Sequence, residues 1–520
     1  MKKLQYVLAM VLLVLIALNS VQYFVRIDIT TTQANSVSPA SKNLVEKIEE
    51  TVYIDYYLSD KLRAIRPETE QIIDLLDEYA AFARGNVLID VLDPAKEGIV
   101  DEVEALGIAP RQIEVTERDA TSYAIIYSGI VVRYRSENRI LPFVIETATL
   151  EYQISSTLHQ LIEEDEVVVG ILAGRNAFMQ GNQDVFGSAQ VLYQVLQNEY
   201  RVEIVGHNEP IQPAIDTLVI LDSPEFGANT AFYVDQFLMQ GGSAFFAING
   251  VSVRIDPNSG GYIGTPNTSP IHSLLEHYGV RVGQELILDE NNRAVLQTSA
   301  NRLPQFVPYP HWVVVGNTVN EEHPTTSRFG GFDLFWASPI YVDDVLDPYA
   351  ETLMNTTDEA WLMQDEFILD PQEEYLFRQN ELETKGLYTV SLAYQGPLSY
   401  NDSLSIPENS SEENILKTTD SARFIVLSDV DSILDVFRVT NAGYNFDFAM
   451  NSITWLGNDE DLLSIRTRNI RPRALDKIQD PQLENTFRWM VRWFNMLVLP
   501  LGVALIGVIL MIKRRRNTQR

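Results

Sequence analysis

The chain has 520 residues and a formal net charge of −32, from 71 acidic and 39 basic side chains. Such an acidic surface repels nucleic acid and anionic lipid headgroups, so nucleic-acid binding is excluded. The sequence contains no cysteine, which excludes disulfides, thiolate metal sites and a cysteine nucleophile. Its length and its 46% hydrophobic content are typical of two or three folded domains.

Uncharged apolar runs lie near both ends of the chain, between Lys3 and Arg26 and between Arg492 and Lys513, and they predict transmembrane helices over residues 4–25 and 489–512. Each is long enough to cross a bilayer as a helix, and short basic flanks remain on the cytoplasmic side. A poor cleavage site after the first run favours an uncleaved anchor over a signal peptide. The pattern predicts a two-pass protein of the bacterial inner membrane, with both termini cytoplasmic and the bulk outside. The residues expected at the membrane interface are Trp489, Trp493, Arg514, Arg515 and Arg516.

Residues 27–145 predict a small N-terminal α/β domain. Ser38-Pro39 is typical of an N-cap followed by proline at the first helical position. A run of β-branched and aromatic residues, 51–58, predicts a strand. The full set of predicted elements is a helix over 38–50, strands over 51–58 and 86–92, a helix over 67–82, and a hairpin of strands 123–132 and 139–145.

Residues 146–475 predict a central α/β domain. Continuous apolar strands alternate with helices here, which is typical of a parallel sheet covered on both faces. Between about 255 and 420 the chain is richer in Pro, Asn and Asp, and we interpret this stretch as a long insertion on the same sheet. Residues 476–488 predict a polar tether. The predicted elements are helices over 146–163, 188–197, 230–239 and 447–456, and strands over 167–172, 201–205, 217–221, 243–248 and 423–427.

Common catalytic motifs are absent from the sequence. There is no G-x-x-x-x-G-K-[ST] loop for ATP, no H-E-x-x-H metal motif and no G-x-S-x-G elbow. The six histidines are scattered without the spacing of a zinc site. We therefore predict no cofactor, no metal site and no enzymatic activity.

Three short segments keep a ligand role open, because each directly follows a strand of the predicted parallel sheet. Ligands of open α/β sheets bind at the carboxyl ends of the strands. A turn glycine and solvated acids are the more ordinary explanations, and a pair of acids is also suited to hold a cation. The candidate residues are Gly174, Arg175, Asn176, Asp222, Asp429 and Asp431.

A series of short motifs, in order along nearly the whole chain, resembles a known family. The motifs include Arg26-Ile27-Asp28-Ile29-Thr30, Ser36-Val37-Ser38-Pro39, Leu150-Glu151-Tyr152, Gln236-Phe237 with Gly241-Gly242, His323-Pro324, Asn451-Ser452-Ile453-Thr454-Trp455 and Arg492-Trp493-Phe494-Asn495. Their order resembles the GldG-type, gliding-motility-associated family of auxiliary, substrate-binding-like ABC transporter proteins.

This resemblance implies a fold and partners. The central domain is expected to be similar to the glutamine-amidotransferase fold, which an intraflagellar-transport protein distantly shares, here without the catalytic cysteine. The implied role is a non-catalytic, membrane-anchored extracytoplasmic accessory subunit beside an ABC permease and a cytoplasmic ABC ATPase. Two alternatives remain open: a scaffold of an envelope or motility machine, and a membrane-bound hydrolase that uses carboxylates.

Overall fold

A computed structural model describes residues 37–466 apart from short gaps, and these residues belong to one compact unit. The gaps are residues 118–119, 146, 148, 163–166, 176, 179–186, 257–260, 300–301, 328–329, 345, 347, 409 and 458–459. The predicted spans over 4–25 and 489–512 lie outside the described residues. So do the tether over 476–488 and the expected interfacial residues Trp489, Trp493, Arg514, Arg515 and Arg516.

Within the described ranges, no helix is both long and apolar enough to cross a membrane. The helix Glu68–Phe82 has 15 residues, whereas a span needs about 20, and it carries several acidic side chains. The predicted fold class, with a transmembrane helix at each end, and the predicted two-pass inner-membrane location are corrected accordingly. The structure does not support them.

The N-terminal part is built on a four-stranded sheet in the order β2-β1-β5-β6, with β1 parallel to β2 and antiparallel to β5. Its elements are α1 (Pro39–Glu46), β1 (Val52–Leu58), α2 (Asp60–Ile65), α3 (Glu68–Phe82), β2 (Val87–Leu92), α4 (Pro94–Glu97), α5 (Val100–Ala105), β3 (Arg111–Glu117), β4 (Ala120–Ile126), β5 (Ser128–Tyr134), β6 (Glu137–Leu141) and α6 (Leu150–Ile162). The predicted strand over 123–132 is wrong in one respect, because the chain breaks at Tyr127 into β4 and β5. Tyr127 instead exchanges hydrogen bonds with Ser59: its N–H donates to the Ser59 hydroxyl at 2.9 Å, and its carbonyl accepts from the Ser59 N–H at 3.1 Å.

The first helix begins as its sequence predicts and is tied to α6 by a buried carboxylate. The Ser38 hydroxyl caps α1 by accepting from the Ser41 N–H at 3.1 Å. Glu151 Oε1 accepts from the Ser38 N–H at 2.5 Å and from the Ser41 hydroxyl at 2.9 Å. Because the N–H groups at a helix start lack helical partners, this carboxylate satisfies one of them and fixes α1 against α6.

The remaining elements form the central sheet and several smaller sheets. They are β7 (Val168–Leu172), α7 (Gln190–Gln197), β8 (Arg201–Val205), β9 (Thr217–Leu221), α8 (Ala228–Met239), β10 (Ser243–Ala247), β11 (Val251–Ile255), β12 (Tyr262–Pro266), α9 (Pro270–His277), β13 (Val280–Val282), β14 (Leu286–Leu288), β15 (Asn292–Ser299), β16 (Arg302–Val315), β17 (Phe332–Asp333), β18 (Ile340–Val342), β19 (Ala350–Asn355), β20 (Trp361–Met363), α10 (Glu381–Thr384), β21 (Thr389–Ser399), β22 (Thr418–Leu427), α11 (Phe437–Thr440), α12 (Asn445–Leu456) and α13 (Glu460–Arg466).

The central sheet is mixed, which corrects the predicted parallel sheet. Its nine strands run in the order β13-β18-β21-β22-β10-β9-β7-β8, and β19 also pairs with β21. The five strands β22, β10, β9, β7 and β8 are parallel, as their continuous apolar sequences predict. The insertion adds β13, β18, β19 and β21, and β21 joins β22 in the antiparallel direction. The fold is therefore a mixed α/β arrangement of several sheets.

Helices cover the parallel strands on both faces. One face packs against α7 and α12, and the other packs against α8 and α9. Phe245 and Phe246 are adjacent in β10, point to opposite faces and are both fully buried. Successive side chains of a strand alternate between faces, so a strand with two covered faces is apolar throughout.

Candidate functional site

The candidate site lies where the parallel strands of the central sheet end. β7 pairs with β8 on one side and with β9 on the other, so the strand order reverses between β7 and β9. Such a reversal opens a crevice beyond the carboxyl ends of the strands, where open α/β sheets bind their ligands. All four segments after β7, β9, β10 and β22 meet at this edge.

At the reversal itself, the crevice is closed by the chain's own side chains. A Cβ atom on Gly174 would lie 2.5 Å from the Ser223 hydroxyl, so any larger residue would force that side chain to move. The Arg175 N–H donates to Glu225 Oε2 at 3.0 Å, and His207 Nε2 lies 3.9 Å from the same oxygen. The Glu225 carboxylate thus takes the place that an anionic ligand would occupy on the backbone N–H. Asn176, the third residue predicted here, lies outside the described residues.

Beside the reversal, six polar residues form what we term the carboxyl-edge cluster. Its members are Asp222, Asn249, Asn267, His272, Asp429 and Asp431. The three aspartates are the ones that the sequence predicts, and the structure brings them into one hydrogen-bonded group. Asn249 lies two residues after the end of β10, so the same strand-end rule would have found it. Asn267 and His272 belong to the insertion, and no local sequence signal marks them.

Asp222 is the buried acid at one side of the cluster. Its Oδ2 accepts a hydrogen bond from the amide of Asn267, which also donates to the Asn249 carbonyl at 2.9 Å. His272 Nε2 lies 3.2 Å from that carbonyl and 3.7 Å from Asp222 Oδ2. Because a carbonyl oxygen only accepts, His272 must carry its proton on Nε2. Asp222 Oδ1 has no hydrogen-bond partner among the described residues.

Asp429 and Asp431 form the other side, and Asn249 joins the two sides. The Asp429 carboxylate accepts from the backbone N–H groups of Phe335, Asp431 and Ser432. Asn249 donates to Asp431 Oδ2 at 3.0 Å and accepts from the Val430 N–H at 2.6 Å. Burial, and then the negative charge of Asp431, raise the pKa of Asp429 well above its usual range. A carboxyl that favours its protonated form is a poor metal ligand, because metals bind the deprotonated form.

The cluster joins the insertion to the sheet edge. Asn267, His272 and the Phe335 N–H come from the insertion, and their partners follow strands of the sheet. Hydrogen bonds that tie buried carboxylates to distant segments in this way are typical of a network that fixes tertiary structure. Within the described ranges, no group of three or more acidic or histidine side chains is arranged to hold a metal ion. Ligand binding by Gly174, Arg175, Asp222, Asp429 or Asp431 stays a prediction.

Several known proteins are similar to this chain. An uncharacterized protein of Borreliella burgdorferi is 22% identical over 504 residues, which cover 94% of each chain. The solved structure of the mmIFT52 N-terminal domain matches 56% of this chain and 100% of its own, at 10% identity and a TM-score of 0.31. A putative ThuA-like protein from Bacteroides uniformis matches 56% of this chain and 91% of its own, at 12% identity and a TM-score of 0.29.

Two family models match the sequence itself. A domain of unknown function matches residues 31–133. A model described as an ABC-type uncharacterized transport system matches residues 166–464, a range that holds the central sheet, its insertion and the carboxyl-edge cluster. Since that match extends over more than half of the chain, the protein belongs to this family of ABC transport auxiliary proteins.

Proposed function

We propose that the protein is a non-catalytic accessory subunit that works beside an ABC permease and a cytoplasmic ABC ATPase. The observation that carries the proposal is the family match over residues 166–464. The GldG-type, gliding-motility subtype is the finer part of the proposal, and it rests on the ordered motifs of the sequence. The proposal does not name a transported substrate.

The carboxyl edge supports a non-catalytic role. In an enzyme, acids at this edge would face a crevice with their oxygens free to meet a substrate. Here Glu225 closes on the Arg175 N–H, and Asp429 and Asp431 bond to the chain's own amides. The sequence also lacks both the P-loop needed to hydrolyse ATP and any cysteine for a glutaminase. The ATPase partner must therefore supply the energy of transport.

Affinity purification from the native host tests the assembly. The full chain carries an affinity tag, the cells are extracted in mild detergent, and the untagged strain is processed in parallel as the control. We expect one protein with a P-loop and one multi-span permease to co-purify in fixed ratio with the tagged chain. The purified chain alone should hydrolyse no ATP, while the complex should do so. Recovery of structural envelope proteins with neither transporter component would favour the scaffold alternative instead.

One observation favours the hydrolase alternative. Asp222 Oδ1 lacks a partner among the described residues, and His272 lies 3.7 Å from the other oxygen of the same carboxylate. A screen of the purified chain against ester, phosphoester and glycoside chromogens tests it, with Asp222→Asn as the matched variant. Turnover that Asp222→Asn abolishes would contradict the non-catalytic proposal. Absence of turnover in both proteins is the result we expect.

A further inference from the structure

A cavity of about 520 Å³ opens beside α8, at the sheet edge opposite the carboxyl-edge cluster. It lies near residues that precede β9 and β10, namely Ile215 and Gly242, and so at the amino ends of these strands. Pockets for small ligands range from about 300 to 1,000 Å³, so the cavity has the size of a binding site. We term it the α8 pocket.

The walls of the α8 pocket come from three distant segments that are locked together. One wall is formed by residues 210–213 and Ile215, the second is the outer face of α8, and the third is formed by Ser410, Ser411, Asn414 and Ile415. The Gln236 amide accepts from the Leu416 N–H at 2.9 Å and donates to the Leu416 carbonyl at 3.1 Å. This two-bond clamp holds the third wall against α8. Gln236-Phe237 is also one of the motifs through which the sequence resembles its family.

The floor is aromatic and closely fitted. Phe232 and Tyr233 lie edge to face with ring centroids 5.5 Å apart. The ring of Phe237 packs on Gly242, where an added Cβ would lie 2.4 Å from a ring carbon. Glycine at this position therefore lets the Phe237 ring pack directly against the backbone in the wall of the pocket. Aromatic rings present an apolar surface on which the C–H groups of a ligand can pack.

The rim offers unused polar groups and no charge. None of the described residues that line the pocket is acidic or basic, although 21% of the chain is charged. The side-chain amides of Gln212, Gln240 and Asn414 make no hydrogen bond to the described part of the chain, and Ser410 and Ser411 add hydroxyls. An amide offers both donors and an acceptor, and a hydroxyl group does the same.

These features select the chemistry of the ligand. An ion that entered the pocket would lose water without gaining a counter-charge, which costs free energy. A purely apolar molecule would displace water from the rim amides and offer them no hydrogen bond in return. A neutral molecule with many hydroxyl groups and apolar C–H faces satisfies both the rim and the floor. We propose that the α8 pocket binds a neutral saccharide. Saccharide binding needs no transporter partner, so its test can succeed or fail whatever the outcome for the proposed function.

Calorimetry with the purified full chain tests the proposal. The probes are maltose, cellobiose, lactose and N,N′-diacetylchitobiose, with an anionic disaccharide that carries glucuronate as the comparison. We expect at least one neutral disaccharide to bind with a Kd of about 1 mM or tighter. The anionic one should bind at least tenfold more weakly, because the pocket holds no cation. Failure of all four neutral probes, or equal binding of the anionic probe, overturns the proposal.

Substitutions in the α8 pocket test whether the saccharide binds there. Each rim hydrogen bond contributes roughly three- to tenfold in affinity, so Gln240→Ala combined with Asn414→Ala should weaken binding by about 10- to 100-fold. Both side chains are exposed, so the variant should fold. The matched control is Gln379→Ala, an exposed glutamine outside the pocket, which should bind as the parent does. Ser411→Trp, which fills the mouth, should abolish binding. Unchanged affinity in both pocket variants, or a neutral peptide amide that binds there more tightly than any disaccharide, overturns the saccharide assignment.

Discussion

The carboxyl-edge cluster and the α8 pocket sit at opposite ends of the same parallel strands, and they use similar residues in opposite ways. At the carboxyl edge, the polar side chains are buried and bonded to one another. In the α8 pocket, three amides face solvent without partners in the described chain. The position of a residue at a strand end therefore does not by itself make a site. Its hydrogen bonds decide whether it is available to a ligand.

The largest expected difference is in stability, when an asparagine is replaced by alanine in the carboxyl-edge cluster and in the α8 pocket. Asn249→Ala removes the group that both accepts from the Val430 N–H and donates to Asp431. Leaving these buried groups unpaired should lower the free energy of unfolding by on the order of 3 kcal/mol. Asn414→Ala, at the exposed rim, should change it by less than about 0.5 kcal/mol. Urea unfolding of both variants measures the two losses of unfolding free energy. Equal losses would contradict the distinction between a bonded cluster and an exposed rim.

The second effect is a pH dependence that belongs to the cluster. The pKa of Asp429 is raised in the folded state by burial and by the charge of Asp431. Folding is then favoured where Asp429 is protonated in the folded protein, so this contribution is present at low pH and is lost as pH rises through the folded pKa. Asp431→Asn removes the neighbouring charge and should flatten the dependence.

Unfolding free energies of parent and Asp431→Asn, measured from pH 4 to pH 8, test this. Glu413→Gln, an exposed carboxylate of the loop near the α8 pocket, is the matched control and should leave the parent profile unchanged. A steeper profile in Asp431→Asn than in the parent would show that Asp431 does not raise the pKa of Asp429.

A smaller effect should follow from opening the wall of the α8 pocket. Gln236→Ala removes both hydrogen bonds to Leu416, which is itself exposed, and the hydrogen bond that the Gln236 amide donates to the buried carboxylate of Asp235. Water can replace the bonds to Leu416 in part but not the bond to Asp235, so the loss of stability should be about 2 kcal/mol. The amide proton of Leu416 should exchange with solvent faster, while those of β10 should not. Unchanged protection of Leu416 would mean that other contacts hold this wall.

The smallest effect is expected from cations. The oxygens of Asp429 and Asp431 already accept hydrogen bonds from the chain, so Ca²⁺ or Mg²⁺ has little to coordinate. A chelator, or millimolar addition of either cation, should shift the Tm of the full chain by less than about 1 °C, because binding to the folded state alone would raise it. A rise of several degrees that Asp431→Asn removes would restore the cation-site interpretation and reverse the comparison.

Local sequence patterns predicted the parallel half of the central sheet closely. The strands over 201–205 and 217–221 have the predicted bounds, and the helix at Ser38-Pro39 begins at its predicted cap. These signals succeed because they depend on neighbours in sequence: alternation of faces, propensity and capping. The mixed character of the sheet was missed, since nothing local to β21 shows that it pairs antiparallel to β22.

The sequence by itself determined the five parallel strands of the central sheet, the acidic and cysteine-free composition, and the presence of Asp222, Asp429 and Asp431 at strand ends. Only the tertiary structure decided that Asn249 and residues of the insertion would donate hydrogen bonds to these acids. It also decided that Gln236 and Leu416, 180 positions apart, would close a pocket at the other edge. The physical reason is that a hydrogen bond or a cavity wall depends on which distant segments meet, and periodicity records only which side of each segment is buried.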